Sequence, residues 1–327
     1  MWDLEGAPER LLVQSAERQY GTPSVATSPS PFILSMEGPL ATESANGSSS
    51  AMGAVSSEIV HRTESLADRE PRTPEPRAPS LLNYIHSAIA IPLIYLYTIV
   101  MGSLSLLFSL RDPCGRRQHW CAQKWSRMIA RTVGAKVHVY GLEKIERGRS
   151  YVFLSTHQSY MDIPVMLGYL PTQLRIAAKK ELFRLPFLGW HLRRAGHIPI
   201  DRSSTADAVA TLQRATDTIR DGICAYIFPE GTRSRDGRLQ PFKKGGFKLA
   251  LQARLPIIPV TIIGTRQLLP RDSIIFRPGP VWMYIDDPIE TSGLTDEDLP
   301  ELMETVRARM LAHFKRAEGR TDGIRSP

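Results

Sequence analysis

One run without a formal charge, residues 78–110, constrains the fold of this chain more than any other feature. Its apolar part, residues 85–110, exceeds the roughly 20 apolar residues that span a bilayer. A soluble helix of that length would carry charged positions on its solvent face. One tilted helix fits the run, while Pro92 and Gly102 also allow a kinked or two-piece element in one leaflet. The sequence therefore predicts a membrane-embedded helical segment.

The two flanks of this segment differ in charge. Residues 68–77 hold three basic and three acidic groups, whereas residues 111–131 hold six basic groups and one acid. This asymmetry predicts that the C-terminal flank lies on the cytoplasmic face and touches anionic membrane lipids. The membrane would be the inner membrane in a bacterium and the endoplasmic reticulum in a eukaryote. Residues 116–132 add Trp120, Trp125, Met128 and Ile129 to these charges, which predicts an interfacial amphipathic helix.

Composition limits the kinds of structure and partner that the rest of the sequence can have. Residues 1–77 contain 12 Ser, 8 Pro and 5 Gly, a share typical of a disordered low-complexity tail or, in part, of a misassigned start. Three cysteines without metal-ligand spacing argue against a disulfide framework and favour a reducing compartment. The net charge is +8, but no recognition helix or zinc spacing accompanies it. We therefore predict no nucleic-acid partner and no metal site.

From residue 136 onward, short apolar runs alternate with helical stretches, which predicts an α/β layered domain with a mostly buried central sheet flanked by helices. A helix starting at Ser203 or Ser204 and ending at Gly222 is predicted, and an amphipathic helix over residues 300–315. The predicted strands cover residues 136–140, 151–154, 174–178, 197–200, 223–228, 257–263 and 281–285.

A histidine stands where one buried strand turns into a helix. His157 follows the strand of residues 151–154, and Asp162 lies five positions later. The spacing is too long for one helix face, but it suits a histidine on the turn and an aspartate in the first helical turn. That aspartate can hold one ring nitrogen and leave the other free to accept a proton.

A histidine and an aspartate at this spacing are common and by themselves indicate little. Three further stretches make the pattern specific. They are Lys179-Lys180-Glu181-Leu182, Gly196-His197-Ile198-Pro199-Ile200-Asp201-Arg202 and Phe228-Pro229-Glu230-Gly231-Thr232-Arg233. Leu255-Pro256-Ile257-Ile258-Pro259 follows them. In this order, the motifs resemble the glycerolipid acyltransferase family over roughly residues 136–290. The chain departs from the family at Thr156, where Asn is common, and at Leu255, where Val is common; neither change removes a chemical group that the reaction needs.

The resemblance implies acyl transfer from a thioester to a glycerolipid hydroxyl, with His157 as the base and Asp162 as its orienting carboxylate. The donor would be acyl-CoA or acyl carrier protein acting as co-substrate, with no bound cofactor. A serine nucleophile, Ser155 or Ser159, is a minor alternative. The acceptor phosphate needs fixed positive charge, for which the Arg233 guanidinium is the best candidate. Further predicted substrate-binding residues are Arg202, Glu230, Gly231, Thr232, Lys179 and Lys180; the role of Lys243 and Lys244 stays open.

The predicted organisation is a tail over residues 1–77, a membrane anchor with an interfacial helix over 78–132, a catalytic domain over 133–290, and a C-terminal helix and tail over 291–327. The predicted activity is the conversion of lysophosphatidate to phosphatidate. Alternatives are the same chemistry on glycerol-3-phosphate, another lysophospholipid or a lyso-aminolipid, a thioesterase that uses water as acceptor, and a catalytically silent protein that only binds phospholipid.

Overall fold

The computed structural model of this chain describes residues 71–112, 114–200, 216, 219 and 222–322. The predicted tail therefore lies outside the described residues except for its last seven positions, 71–77. Arg202 and nearly all of the helix predicted to start at Ser203 or Ser204 also lie outside them.

All seven predicted strands are present, and they form one sheet in the order β1-β7-β6-β2-β5-β3-β4. Strands β6, β2, β5, β3 and β4 run parallel to one another, whereas β7 is antiparallel to β6 and parallel to β1. The carboxyl ends of the five parallel strands therefore share one edge of the sheet. The strands are β1 (Ala135–Tyr140), β2 (Val152–Ser155), β3 (Gln173–Lys179), β4 (Ile198–Ile200), β5 (Ile223–Ile227), β6 (Ile257–Ile263) and β7 (Gly279–Ile285).

Helices cover both faces of the sheet. They are α1 (Leu81–Ser109), α2 (Arg116–Thr132), α3 (Asp162–Tyr169), α4 (Leu188–Arg194), α5 (Gly245–Ala253), α6 (Thr265–Leu268) and α7 (Leu299–Asp322), with 3₁₀ turns at Leu142–Lys144 and Lys180–Arg184. The predicted interfacial helix has the bounds of α2, and the C-terminal amphipathic helix is α7.

The core has two layers because side chains alternate across the sheet. On β2, Phe153 belongs to one buried cluster, which α2 and α3 complete with Ile129 and Val165. Leu154 points to the opposite cluster, which Phe247 of α5 joins. The apolar stripe of α7 also packs there through Leu302, Val306 and Met310. The predicted α/β fold class is confirmed.

The apolar run forms one continuous helix, α1, capped at Ser80 by a capping box with Asn83. Within the described part of the chain, α1 alone is long and apolar enough to cross a membrane. It nevertheless forms hydrogen bonds along its length with α2 and α4. His86 Nε2 lies 2.7 Å from the carbonyl oxygen of Thr132, the Trp125 indole donates to Thr98, and Ser105 Oγ lies 2.6 Å from His191 Nδ1.

The other face of α1 is apolar and exposed, and the residues that form it include Leu82, Ile85, Ile89, Leu96, Val100 and Leu107. Such a continuous apolar surface is unusual for a water-facing helix.

The segment before α1 is bound to the α/β domain. Thr73 is buried, and its backbone N–H donates to Gly237 at 3.0 Å. The Arg266 guanidinium donates to the carbonyl oxygen of Pro74 and forms an ion pair with Glu75 at 2.9 Å. The composition of the sequence predicts that the tail extends to residue 77. Residues 72–75 contain no apolar run, so the sequence gives no sign that they pack against the domain.

Candidate active site

The turn after β2 places the site at the edge where the parallel strands end. Strand β2 lies between β5 and β6, and all four of its residues are buried. The chain then leaves the sheet through His157–Met161, and α3 begins at Asp162. Asp162 therefore occupies the first turn of the helix, as the spacing predicts.

His157 and Asp162 form a buried pair. Nδ1 of His157 lies 2.9 Å from Oδ2 of Asp162, whose side chain is completely buried. Oδ2 also accepts the backbone N–H groups of Gln158 and Ser159 at 2.7 and 2.9 Å. Thr265 of α6 donates its hydroxyl to Oδ1 at 2.5 Å. Hydrogen bonds on both oxygens hold the carboxylate in one orientation, and this fixes the imidazole.

Phe228 and Ser234 restrain His157 further. The Phe228 ring stacks on the imidazole with 3.9 Å between ring centroids and an angle of 18° between the ring planes. The backbone carbonyl of His157 accepts the N–H of Ser234 at 2.8 Å. With Nδ1 facing a carboxylate, Nε2 is the nitrogen available to accept a proton from a bound hydroxyl.

Glu230 has a structural position. Its two carboxyl oxygens accept the backbone N–H of His157 at 2.6 Å and that of Gln240 at 2.9 Å. Burial raises the pKa of the Glu230 carboxyl to about 8, while the hydrogen bonds from Gln240 and His157 act in the opposite direction. Glu230 thus connects the two loops of the site instead of pairing with Arg233.

Arg233 lies over the turn that carries His157. Its guanidinium carbon is 3.7 Å from the centroid of the Tyr160 ring. Its Nη1 donates to the carbonyl oxygen of Arg271 at 2.8 Å. The structure thus brings this predicted phosphate-binding residue to the turn that carries His157.

Gly231 has a reason of its own to be glycine. Its φ is +69°, and a Cβ here would lie 2.9 Å from Cε of Lys243. The side chain of Lys243 therefore lies against this turn, and the residue is exposed to solvent. The sequence left the role of Lys243 open; the structure places it beside the loop of Arg233.

The remaining predicted residues are more dispersed. Thr232 is exposed. Lys179 ends β3 at the same edge of the sheet, is exposed and forms an ion pair with Glu181 at 3.5 Å. Lys180 begins the following 3₁₀ turn. Arg202 lies outside the described residues.

The two serines near His157 have local roles. Ser159 donates its hydroxyl to the carbonyl oxygen of Leu269 at 2.7 Å and accepts the backbone N–H of Met161. Ser155 is completely buried and bonds to the carbonyl of Thr156 at 3.2 Å. These contacts make either hydroxyl a poor nucleophile.

Several residues of this site carry no local sequence signal. Thr265 and Arg271 come more than a hundred residues after His157, and only the return of β6 beside β2 brings their loop to the site. Phe228 belongs to the motif of Glu230, but nothing in the sequence shows that its ring meets an imidazole. Among the described residues, no group of three or more His, Cys, Asp and Glu side chains could hold a metal ion.

Comparison with known proteins connects this geometry to a family. A family model described as "Acyltransferase" matches residues 136–263. The 1-acyl-sn-glycerol-3-phosphate acyltransferase alpha of Mus musculus is 36% identical over 193 residues, which cover 58% of this chain and 67% of the mouse protein. This chain belongs to the acyltransferase family.

Two other proteins agree with that assignment. The 1-acyl-sn-glycerol-3-phosphate acyltransferase of Cocos nucifera is 31% identical over 224 residues, covering 68% of this acyltransferase and 72% of the coconut protein. The crystal structure of the 1-acyl-sn-glycerophosphate (LPA) acyltransferase PlsC from Thermotoga maritima superposes with a TM-score of 0.64 at 29% identity, covering 73% of this chain and 97% of that one. The predicted family resemblance and the predicted O-acyltransferase chemistry are confirmed.

Proposed function

We propose that this acyltransferase moves a fatty acyl group from an acyl thioester to the sn-2 hydroxyl of 1-acyl-sn-glycerol-3-phosphate, giving phosphatidic acid in phospholipid biosynthesis. The observation that carries the proposal is the His157–Asp162 pair together with the Arg233 guanidinium, which lies over Tyr160 in the same turn. The names of the relatives point to the same acceptor.

In the proposed reaction, Nε2 of His157 takes the proton of the acceptor hydroxyl as the oxygen attacks the thioester carbonyl. The Asp162 carboxylate stabilises the imidazolium that forms. Collapse of the tetrahedral intermediate forms the ester bond and breaks the C–S bond. The imidazolium then returns its proton to the departing thiolate. No acyl-enzyme is needed, since the acceptor hydroxyl takes the place of a serine nucleophile.

The donor is proposed to be acyl-CoA or acyl carrier protein, serving as co-substrate without a bound cofactor. Arg233 is proposed to bind the acceptor phosphate, because guanidinium and phosphate form two parallel hydrogen bonds. Arg202, Thr232, Lys179 and Lys180 remain further proposed phosphate contacts. Gly231 and Glu230 are proposed to shape the loop that carries Arg233.

We also propose that α1 anchors the enzyme in one leaflet on the cytoplasmic face, as a monotopic element. Support comes from the hydrogen bonds of α1 to α2 and α4, near its two ends, and from the attachment of residues 72–75, before α1, to the α/β domain. The exposed apolar face of α1 would then enter the leaflet. The basic residues after it would face anionic headgroups: Arg111, Arg116, Arg117, Lys124, Arg127 and Arg131.

The test of the activity is an assay of the purified protein with labelled oleoyl-CoA. The acceptors are lysophosphatidate, glycerol-3-phosphate, lysophosphatidylcholine, monoacylglycerol and water alone. We expect phosphatidate as the main product and little thiol release without an acceptor. Thiol release that does not depend on acceptor would identify a thioesterase, and the absence of turnover with every acceptor would favour a protein that only binds lipid.

The base is tested by His157→Ala, which should lower turnover by about 10²- to 10⁴-fold, the usual contribution of general-base catalysis. His138→Ala is the matched control. His138 is exposed and lies on the edge strand β1, which β7 and β6 separate from β2. Near-normal turnover of folded His157→Ala would contradict the mechanism.

A further inference from the structure

The loop after α6 brings a second arginine to the site. Ser159, within the turn that carries His157, donates its hydroxyl to the carbonyl oxygen of Leu269, the residue after α6, at 2.7 Å. Two residues later, the Nη1 of Arg271 donates to the carbonyl oxygen of Arg233 at 2.6 Å. The loop is thus bonded at two positions to the elements that carry His157 and Arg233.

The contact between Arg233 and Arg271 is reciprocal. Each guanidinium donates Nη1 to the backbone carbonyl of the other residue, at 2.8 and 2.6 Å. These carbonyls are neutral, so they orient the two guanidinium groups without cancelling their charge. Among the described residues, no carboxylate forms an ion pair with either side chain. Even Asp272, which is adjacent to Arg271 in the sequence, does not.

Most of the donors on this pair remain available. A guanidinium has five N–H groups in a planar fork, and each arginine uses one of them in the reciprocal contact. The Tyr160 ring covers one face of the Arg233 guanidinium at 3.7 Å, and because the N–H groups lie in the plane of the fork, the ring does not cover them. Both arginines are partly exposed and accessible to a ligand.

Each guanidinium group bonds to the backbone of the other arginine, which brings two positive charges to one place, and an anion bound to both would offset their repulsion. A phosphate monoester carries up to two negative charges and three terminal oxygens, enough to accept bidentate hydrogen bonds from two arginines. A phosphodiester has one charge and two free oxygens, and it matches this pair less well.

We propose that Arg271 is a second substrate-binding residue, and that together with Arg233 it clamps a terminal phosphate monoester of the acyl acceptor. This inference rests on the proposed function, and it adds a reason why a monoester such as lysophosphatidate would be preferred over a lysophospholipid with a substituted headgroup. The loop that carries Arg271 becomes a determinant of acceptor specificity.

The experiment compares wild type with Arg271→Gln, Arg271→Lys and Arg271→Ala. Glutamine retains a donor for the carbonyl of Arg233 but has no charge, so it separates electrostatic binding from the structural role of the loop. Arg254→Ala is the matched control. Arg254 is an exposed arginine before the amino end of β6, at the opposite edge of the sheet from His157.

Initial rates are measured while lysophosphatidate is varied at saturating oleoyl-CoA, and then with the roles exchanged. We expect Arg271→Gln and Arg271→Ala to raise the KM for lysophosphatidate about 10- to 100-fold, since charge-assisted hydrogen bonds are lost, with the KM for oleoyl-CoA changed less than about twofold. Arg271→Lys should be intermediate, because ammonium keeps the charge but loses the fork. Rates with lysophosphatidylcholine should fall much less than rates with lysophosphatidate.

An unchanged KM for lysophosphatidate in Arg271→Gln would overturn the clamp, and a rise in the oleoyl-CoA KM instead would assign Arg271 to the coenzyme phosphates and overturn it as well. If only Arg271→Ala failed to fold, the KM values of Arg271→Gln and Arg271→Lys would test the clamp. The proposed function is judged separately, by the products of wild type. If wild type used a different phosphate monoester, the same KM comparison would be made on that acceptor; if it used only acceptors without phosphate, both proposals would fall.

Discussion

Replacing Asp162 by asparagine isolates the charge of the catalytic pair. Three donors converge on Oδ2: Nδ1 of His157 and the backbone N–H groups of Gln158 and Ser159. They would hold the asparagine oxygen at this position. The amide nitrogen would then face Thr265, whose hydroxyl can rotate to accept a hydrogen bond where it now donates one. The substitution should therefore preserve the fold and the orientation of the imidazole.

The expected loss of rate follows from the distance between the charges. Unit charges about 4 Å apart at an effective dielectric constant of about 20 attract by about 4 kcal/mol. At about 1.4 kcal/mol for each tenfold change, removing the Asp162 charge should lower kcat by about 10³-fold. This lies within the range of about 10² to 10⁴ that is typical of general-base catalysis. The KM for the acceptor should change little, because the imidazole is neutral until the proton moves.

The assay is steady-state release of coenzyme A from oleoyl-CoA with saturating lysophosphatidate, together with thermal unfolding of each variant. Asp286→Asn is the matched control, since Asp286 forms a second His–Asp pair, partly buried, with His313 at 2.9 Å, beyond the carboxyl end of β7. That end lies at the opposite edge of the sheet, because β7 is antiparallel to β6. If folded Asp162→Asn kept kcat within about tenfold of wild type, the Asp162 charge would not be stabilising an imidazolium.

Three further results are expected. Deletion of residues 1–70 should leave turnover intact, whereas deletion of residues 1–77 should lower turnover or stability, because it removes the bonds to Gly237 and Arg266; equal turnover and equal unfolding temperature of the two truncations would contradict this. The pKa of the Glu230 carboxyl is raised from about 4.5 in the unfolded chain to about 8 in the folded protein, so its contribution to stability should decline as pH rises across this interval. The unfolding temperature of wild type should then fall more steeply between pH 5 and 8 than that of Glu230→Gln, and parallel curves would be the contrary result. Ser159→Ala should retain turnover within about tenfold and should trap no acyl-enzyme by mass spectrometry, whereas loss comparable to that of His157→Ala would indicate a serine nucleophile.

Much of the fold was predictable because its signals are local. Strand β6 is a seven-residue run, apolar except for Thr261, whose predicted and observed bounds coincide, since a central strand buried on both faces has a nearly continuous apolar sequence. Helix α2 has the predicted bounds because its charges and aromatic residues recur at helical spacing. The pairing of His157 with Asp162 was predictable for a similar reason: one turn and the first residue of α3 contain both partners.

The sequence by itself thus determined the elements, the family motifs and the central pair, all of which depend on residues within a few positions of one another. It did not determine what surrounds that pair. Thr265 reaches Asp162, and Arg271 reaches Arg233, only because β6 pairs with β2 and returns the chain to the same edge of the sheet. Residues 72–75 show no apolar pattern, so their attachment to Gly237 and Arg266 could not be predicted from the sequence. The position of α1 along the domain was likewise decided by tertiary contacts, because hydropathy measures how apolar a helix is but not which of its faces meets protein and which meets lipid.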